Sequence, residues 1–237
     1  MNETIPIQEY SNNQQKTKEL CGHKIVPEVE KIISKNDYLI NALSDICDYD
    51  KQTFNHTLKM ANYSLEVSRQ AELSEEETEL LISSVLVHDV GKIKIDSDII
   101  RKTEKLTDEE YEKIKKHVRA GIEYLKKANA PHKIIAIMSG HHEHQGVKSY
   151  PRGKDLGIEA RQNEIDNPKR EEKSAVVKKL ERILAIVDHF EAATDNRPEK
   201  AAQPLEKCRR EMLEKFNKEE DKQIIEILIK NFELMKL

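Results

Sequence analysis

His88-Asp89-Val90-Gly91-Lys92-Ile93 is the stretch on which the reading of this 237-residue chain turns. An adjacent imidazole and carboxylate that close a helix can both ligate one divalent metal, and a carboxylate such as Asp89 can bridge two ions through its two oxygens. Gly91 is read as the residue whose freedom at positive φ lets the helix stop and its last side chains converge. Lys92 places a cation beside the metals. A phosphate ester, whose non-bridging oxygens gain negative charge during hydrolysis, suits such a site.

Working outward, the chain reads as helix after helix, and imidazoles recur where a helix face turns inward. Ser74 and Glu77 form a capping-box pattern ahead of a helix whose apolar face, Leu81 and Val85, leads to His88. Upstream, Asp50 is placed to cap a helix that runs to about Gln70 and contains His56. Downstream, Thr107 and Glu110 repeat the capping pattern, and Ile114, His117, Val118 and Gly121 fall on one face of the helix that follows. Pro131 opens a further helix with Ile134, Ile135 and Met138 on its face, running into the tandem His141-His142. Near Ser174 regular helix resumes, with Val177, Leu180 and Leu184 pointing one way and Asp188 one turn beyond.

At the ends of the chain, Val29, Ile32, Ile33, Tyr38, Leu39 and Leu43 mark helices from about Pro27, and Ile224, Leu228, Phe232 and Met235 form a stripe expected to pack on the bundle. Residues 1–24 lack apolar periodicity and read as a flexible lead, and the charged, irregular text at about 152–173 reads as an insertion within a domain spanning 25–237. The expected fold is a single all-α helical bundle around a buried dinuclear metal site.

Composition narrows the function classes. Only 37% of residues are apolar, 35% are charged, Gly is scarce and Trp absent, as befits a helical soluble protein. A formal net charge of −4 gives no reason to expect a DNA, RNA or anionic-membrane partner. Cys21, Cys47 and Cys208 are odd in number and form no CxxC pair, which fits a reducing, cytoplasmic compartment. No run approaches the length of a membrane span, and the polar start lacks the apolar core of a signal peptide.

Seven residues stand out as a set: His56, His88, Asp89, His117, His141, His142 and Asp188. Neutral imidazoles and carboxylates without a thiolate suit Fe, Mn, Ni or Zn better than Cu(I), and the imidazole majority disfavours Mg or Ca. With Asp89 shared, five imidazoles and two carboxylates give two ions about four protein ligands each. His144 and His189, beside these ligands, are assigned supporting or solvent-facing roles. His23 and His132 are assigned to the surface, and Arg119 and Lys148 to solvated charge.

This constellation resembles the HD superfamily of metal-dependent phosphohydrolases, defined by a distant His, a His-Asp doublet and a later Asp, here His56, His88-Asp89 and Asp188. With His117 and the pair His141-His142 it is similar to the HD-GYP branch, bacterial phosphodiesterases for cyclic di-GMP. The matching pieces run from about Asp50 to Phe216: HDVGKIKID (88–96), KLTDEEYEKIKKHVRAG (105–121), His141 to Glu143, Tyr150-Pro151, and Ile183 through Asp188 to Asp195, Arg197 and Pro198. The resemblance implies one ion held by His56, His88, Asp89 and Asp188, a second by Asp89, His117, His141 and His142, Fe or Mn as the usual metals, and a hydroxide between the ions as nucleophile. It also implies that Lys92, Tyr150, Arg197 and Lys200 contact the substrate.

Three departures are visible. The family's HHE-x-x-DG-x-GYP becomes His141-His142-Glu143-His144-Gln145-Gly146-Val147-Lys148-Ser149-Tyr150-Pro151, so the loop over the substrate is expected to take another path, since Val147 and Ser149 reach positive φ less cheaply than glycine. Gln52 stands where some members carry a Glu for a third metal, which argues for two ions. Finally, His142 and Asp188 are 46 positions apart, more than the family needs, and the insertion between them is read as neutral decoration, a substrate lid or a surface for a protein partner. The leading expectation is a phosphodiesterase for a cyclic dinucleotide, cyclic di-GMP first. The alternatives are an HD phosphohydrolase for another nucleotide or phosphate ester, a di-iron oxygenase on the same fold, and a non-catalytic metal-containing module that binds a nucleotide or a partner.

Overall fold

The computed structural model describes residues 25–142, 174–196 and 201–235. The lead at 1–24, the insertion at 152–173, and His23, His144, Lys148, Tyr150, Arg197 and Lys200 lie outside the described residues. Every regular element among those described is helical: α1 (Pro27–Ser34), α2 (Asp37–Tyr49), α3 (Lys51–Gln70), α4 (Glu75–Val87), a 3-10 turn (Val90–Lys94), α5 (Ser97–Ile100), α6 (Asp108–Lys115), α7 (His117–Lys127), α8 (His132–Ser139), α9 (Ala175–Thr194), α10 (Leu205–Lys215) and α11 (Glu219–Met235).

Local chemistry sets the helix starts. The Asp50 carboxylate accepts the Thr53 N–H at 2.7 Å and so opens α3 one residue later, while Ser74 with Glu77 and Thr107 with Glu110 form complete capping boxes at α4 and α6. Leu81 to Val87 are seven consecutive buried residues. A helix segment covered all round belongs at the centre of a bundle, and α1, α2, α3, α8 and α9 all pack on α4. Phe190 of α9 meets Tyr63 of α3 edge-on at 5.7 Å and Phe232 of α11 at 5.5 Å, tying the last helix to the two that carry His56 and Asp188. The α11 stripe Ile224, Leu228 and Phe232 is buried as expected.

Two local expectations are corrected. The helix expected to carry both Ile114 and His117 is broken at Lys116, whose N–H bonds back to Lys113 and Ile114 and not four residues back. The Ile114 carbonyl also receives the His117 ring N–H at 2.7 Å. Gly91, moreover, does not use positive φ. A β-carbon there would collide with the His117 carbonyl oxygen and the Gly121 N–H nitrogen, so glycine is required because the 3-10 turn lies directly on the start of α7. Among the described residues no helix is long and apolar enough to cross a membrane, and Cys47 and Cys208 are free thiols.

Candidate metal centre

Three of the expected ligands sit at helix ends and are oriented by the same local device. His88 caps α4, His117 begins α7, and His141 follows α8. Each donates its Nδ1–H to the carbonyl three residues back: His88 to Val85 at 2.7 Å, His117 to Ile114 at 2.7 Å, His141 to Met138 at 2.5 Å. A helix end leaves carbonyls free for such a bond. The bond fixes the tautomer and leaves the Nε2 lone pair facing inward, which is how metal-binding histidines are held.

His56 lies in mid-helix and is oriented differently. Its Nε2 is 3.3 Å from Asp188 Oδ1 and 3.9 Å from Asp89 Oδ2, and its Nδ1 donates to the Glu191 carboxylate. Asp89 stands between the two sets. Its Oδ2 is 3.2 Å from His88 Nε2 and its Oδ1 is 3.4 Å from His117 Nε2. His56, His88 and Asp188 thus form one group able to hold an ion, and His117, His141 and His142 another, with Asp89 between them. All seven expected ligands converge.

The donor set fits a divalent metal on its own chemistry. His88 Nε2 is fully buried without a hydrogen-bond partner, and the Nε2 atoms of His117 and His141 face each other at 3.4 Å. Burial pushes the His117 imidazole down to about 4, although Asp89 pulls the other way. Burial, aided by His88 and His117, pushes His141 down to about 3. Both rings are therefore neutral near pH 7 and present lone pairs to one space, an arrangement that a cation satisfies and a proton does not. Burial opposes charge on Asp89 as well, but Lys92, at 2.6 Å from Oδ2, and His88 hold its carboxyl well below the usual range. Asp188 is held low against burial by His56.

Beside this centre lies a cleft of about 480 Å³ lined by His56, Lys92, Gln52, Lys102, Lys105 and Ile114 among others. That volume is in the range of small-molecule sites. Lys92 therefore borders both the Asp89 carboxylate and the cleft. His132 and Arg119 are exposed, as expected, and Arg119 pairs with Glu123. His189 has its Nδ1 3.1 Å from Lys215 Nζ and its ring against Phe216. Sequence reasoning missed Glu191. Its signal was the three-residue spacing from Asp188, which puts a second acid on the same face of a helix whose preceding stretch, Ile183 to Val187, is buried and apolar.

A family model described as the HD domain matches residues 53–193, more than half of the chain and all seven convergent residues. The chain belongs to the HD domain family. A cyclic di-GMP phosphodiesterase of Thermotoga maritima is 27% identical over 90% of this chain and 53% of its own length. The 3'3'-cGAMP-specific phosphodiesterase 3 of Vibrio cholerae is 28% identical over 72% of this chain and 33% of its own length. This HD chain spans about half, or less, of the length of such curated relatives. The HD domain of the L. monocytogenes phosphodiesterase PgpH, solved with cyclic-di-AMP, superposes with a TM-score of 0.56 over 83% of this chain and 97% of its own at 21% identity, a likeness of fold.

Proposed function

We propose that this HD domain is a metal-dependent phosphodiesterase that opens a cyclic dinucleotide, cyclic di-GMP first, to a linear dinucleotide or mononucleotide. The observation that carries the proposal is the Asp89 carboxylate set between two groups of imidazoles beside a cleft that Lys92 lines. His56, His88, Asp89 and Asp188 would hold one ion, and Asp89, His117, His141 and His142 a second. Iron or manganese suits a set of imidazoles and carboxylates without thiolate. Divalent ions there would supply an acidified water as nucleophile and positive charge for the phosphoryl oxygens.

The chain's own residues do the rest. Carbonyl bonds at three histidines and the Glu191 bond at His56 keep four of the five imidazoles turned to the centre before substrate arrives. Lys92 balances the Asp89 charge and is placed to donate to a phosphate oxygen in the cleft. Tyr150, Arg197 and Lys200 are assigned the remaining substrate contacts. The names of the similar proteins support a cyclic dinucleotide as the substrate class, with the choice among cyclic di-GMP, cGAMP and cyclic di-AMP left to experiment.

The test is anaerobic incubation of Mn- and Fe-loaded protein with each of these three compounds, with products separated by chromatography and an Asp89→Ala control. Metal-dependent appearance of a linear dinucleotide or mononucleotide with at least one of them is expected. Turnover of none, while a simple phosphate ester is hydrolysed, would replace the substrate class and leave the metal chemistry in place.

A further inference from the structure

His56 differs from His88, His117 and His141 in what stands behind the ring. His88, His117 and His141 are backed by neutral backbone carbonyls. His56 cannot use that device. It sits six positions into the 20-residue α3, where the carbonyls of the preceding turn are engaged by the helix's own hydrogen-bond ladder. An acceptor for its Nδ1–H must come from another element, and α9 supplies it. Asp188 lies at the front edge of the ring, with Oδ1 3.3 Å from Nε2, while Glu191, one turn further along α9, accepts from Nδ1 at the back edge. One helix therefore clamps the imidazole on both edges. Glu191 itself is fully buried, which a carboxylate tolerates when it is paired and hydrogen-bonded, as it is here to His56.

We propose that Glu191 is a positioning residue for the His56, His88 and Asp188 half of the centre, holding His56 with Nε2 turned to the ion and strengthening that half over the other. This rests on the metal-centre reading above. A carboxylate behind an imidazole raises its basicity as a ligand more than a carbonyl does, and loss of such a partner typically weakens metal binding by about 10- to 100-fold. The effect should fall on one equivalent of metal and spare the other.

The experiment is a Mn²⁺ binding isotherm on metal-free full chain, reading free Mn²⁺ by electron paramagnetic resonance, for wild type, Glu191→Gln and Glu191→Ala. Wild type should bind two equivalents. Glu191→Ala should weaken one of them by about 10- to 100-fold. Glu191→Gln, whose amide oxygen still accepts from Nδ1, should fall between. The thermal midpoint of each metal-free variant separates positioning from folding, and if Glu191→Ala does not fold, the isosteric Glu191→Gln decides. Unchanged binding of both equivalents, or equal weakening of both, overturns the proposal, and so does a wild type that binds no Mn²⁺. A wild type that holds two ions but cleaves no cyclic dinucleotide would sink the proposed activity and leave the Glu191 assignment standing.

Discussion

The side of the centre where α3 and α9 meet, joined by His88 from the end of α4, and the side built on the ends of α7 and α8 reach the same kind of site by different means. On the first side, His56 and Asp188 sit inside two 20-residue helices, and their mutual placement depends on how those helices pack through Phe190 and Tyr63. On the second, His117 and His141 sit at the ends of helices of 11 and 8 residues, and each ring is fixed by its own backbone three residues away. In the first half His56 and Asp188 depend on tertiary packing, and in the second His117 and His141 depend on local hydrogen bonding. The two should therefore fail under different insults.

Asp89 lies between the two halves, with Oδ2 3.2 Å from His88 Nε2 and Oδ1 3.4 Å from His117 Nε2, so its loss should have the largest effect. Asp89→Ala is expected to remove both ions and bring turnover below detection, as read by metal content after gel filtration and by product chromatography. Retention of either ion would mean that the halves are more independent than the distances imply.

Phe190→Ala strikes the packed half. Removing a fully buried aromatic ring should cost about 3–5 kcal/mol in denaturant unfolding and loosen the His56 side before the His117 side. Gly91→Ala strikes the locally built half. An added methyl must push the 3-10 turn away from the His117 carbonyl, for a cost of about 1–3 kcal/mol, and metal should be lost there first. If both substitutions instead weakened the same equivalent of metal, the division drawn here would be wrong.

Protonation gives the smallest and most selective contrast. Burial works against a charged His56, but Glu191 and Asp188 outweigh it and push the metal-free imidazole up to about 9. That ring carries a proton at pH 7 that an ion must displace, so metal affinity on its side should rise with pH until about 9 and then level. His117 and His141, at about 4 and about 3, are already neutral, and their side should show little dependence above pH 5. Calorimetry in buffers of different ionisation enthalpy should report about one proton released for the first ion and almost none for the other.

Much of this was legible in the sequence because the signals are local. Capping residues Asp50, Ser74 and Thr107 mark helix starts with chemistry that acts over three residues, and His88 and His141 each follow an apolar face that had to turn inward. What was not legible is what depends on distant partners. The need for glycine at 91 arises only because α7 comes to lie on it. The break at Lys116 reflects a side chain competing for a backbone carbonyl, which a capping box followed by an apolar face does not reveal. Glu191 was passed over because an acid in a helix reads as solvated until the helix is seen to be buried on that face.

The most direct test of the account is the anomalous diffraction signal of Mn²⁺ in crystals of the metal-loaded protein. Two peaks are predicted, one among His56, His88 and Asp188 and one among His117, His141 and His142, with the Asp89 carboxylate between them. A single peak, or peaks that do not share Asp89, would contradict a two-ion centre built on these helices.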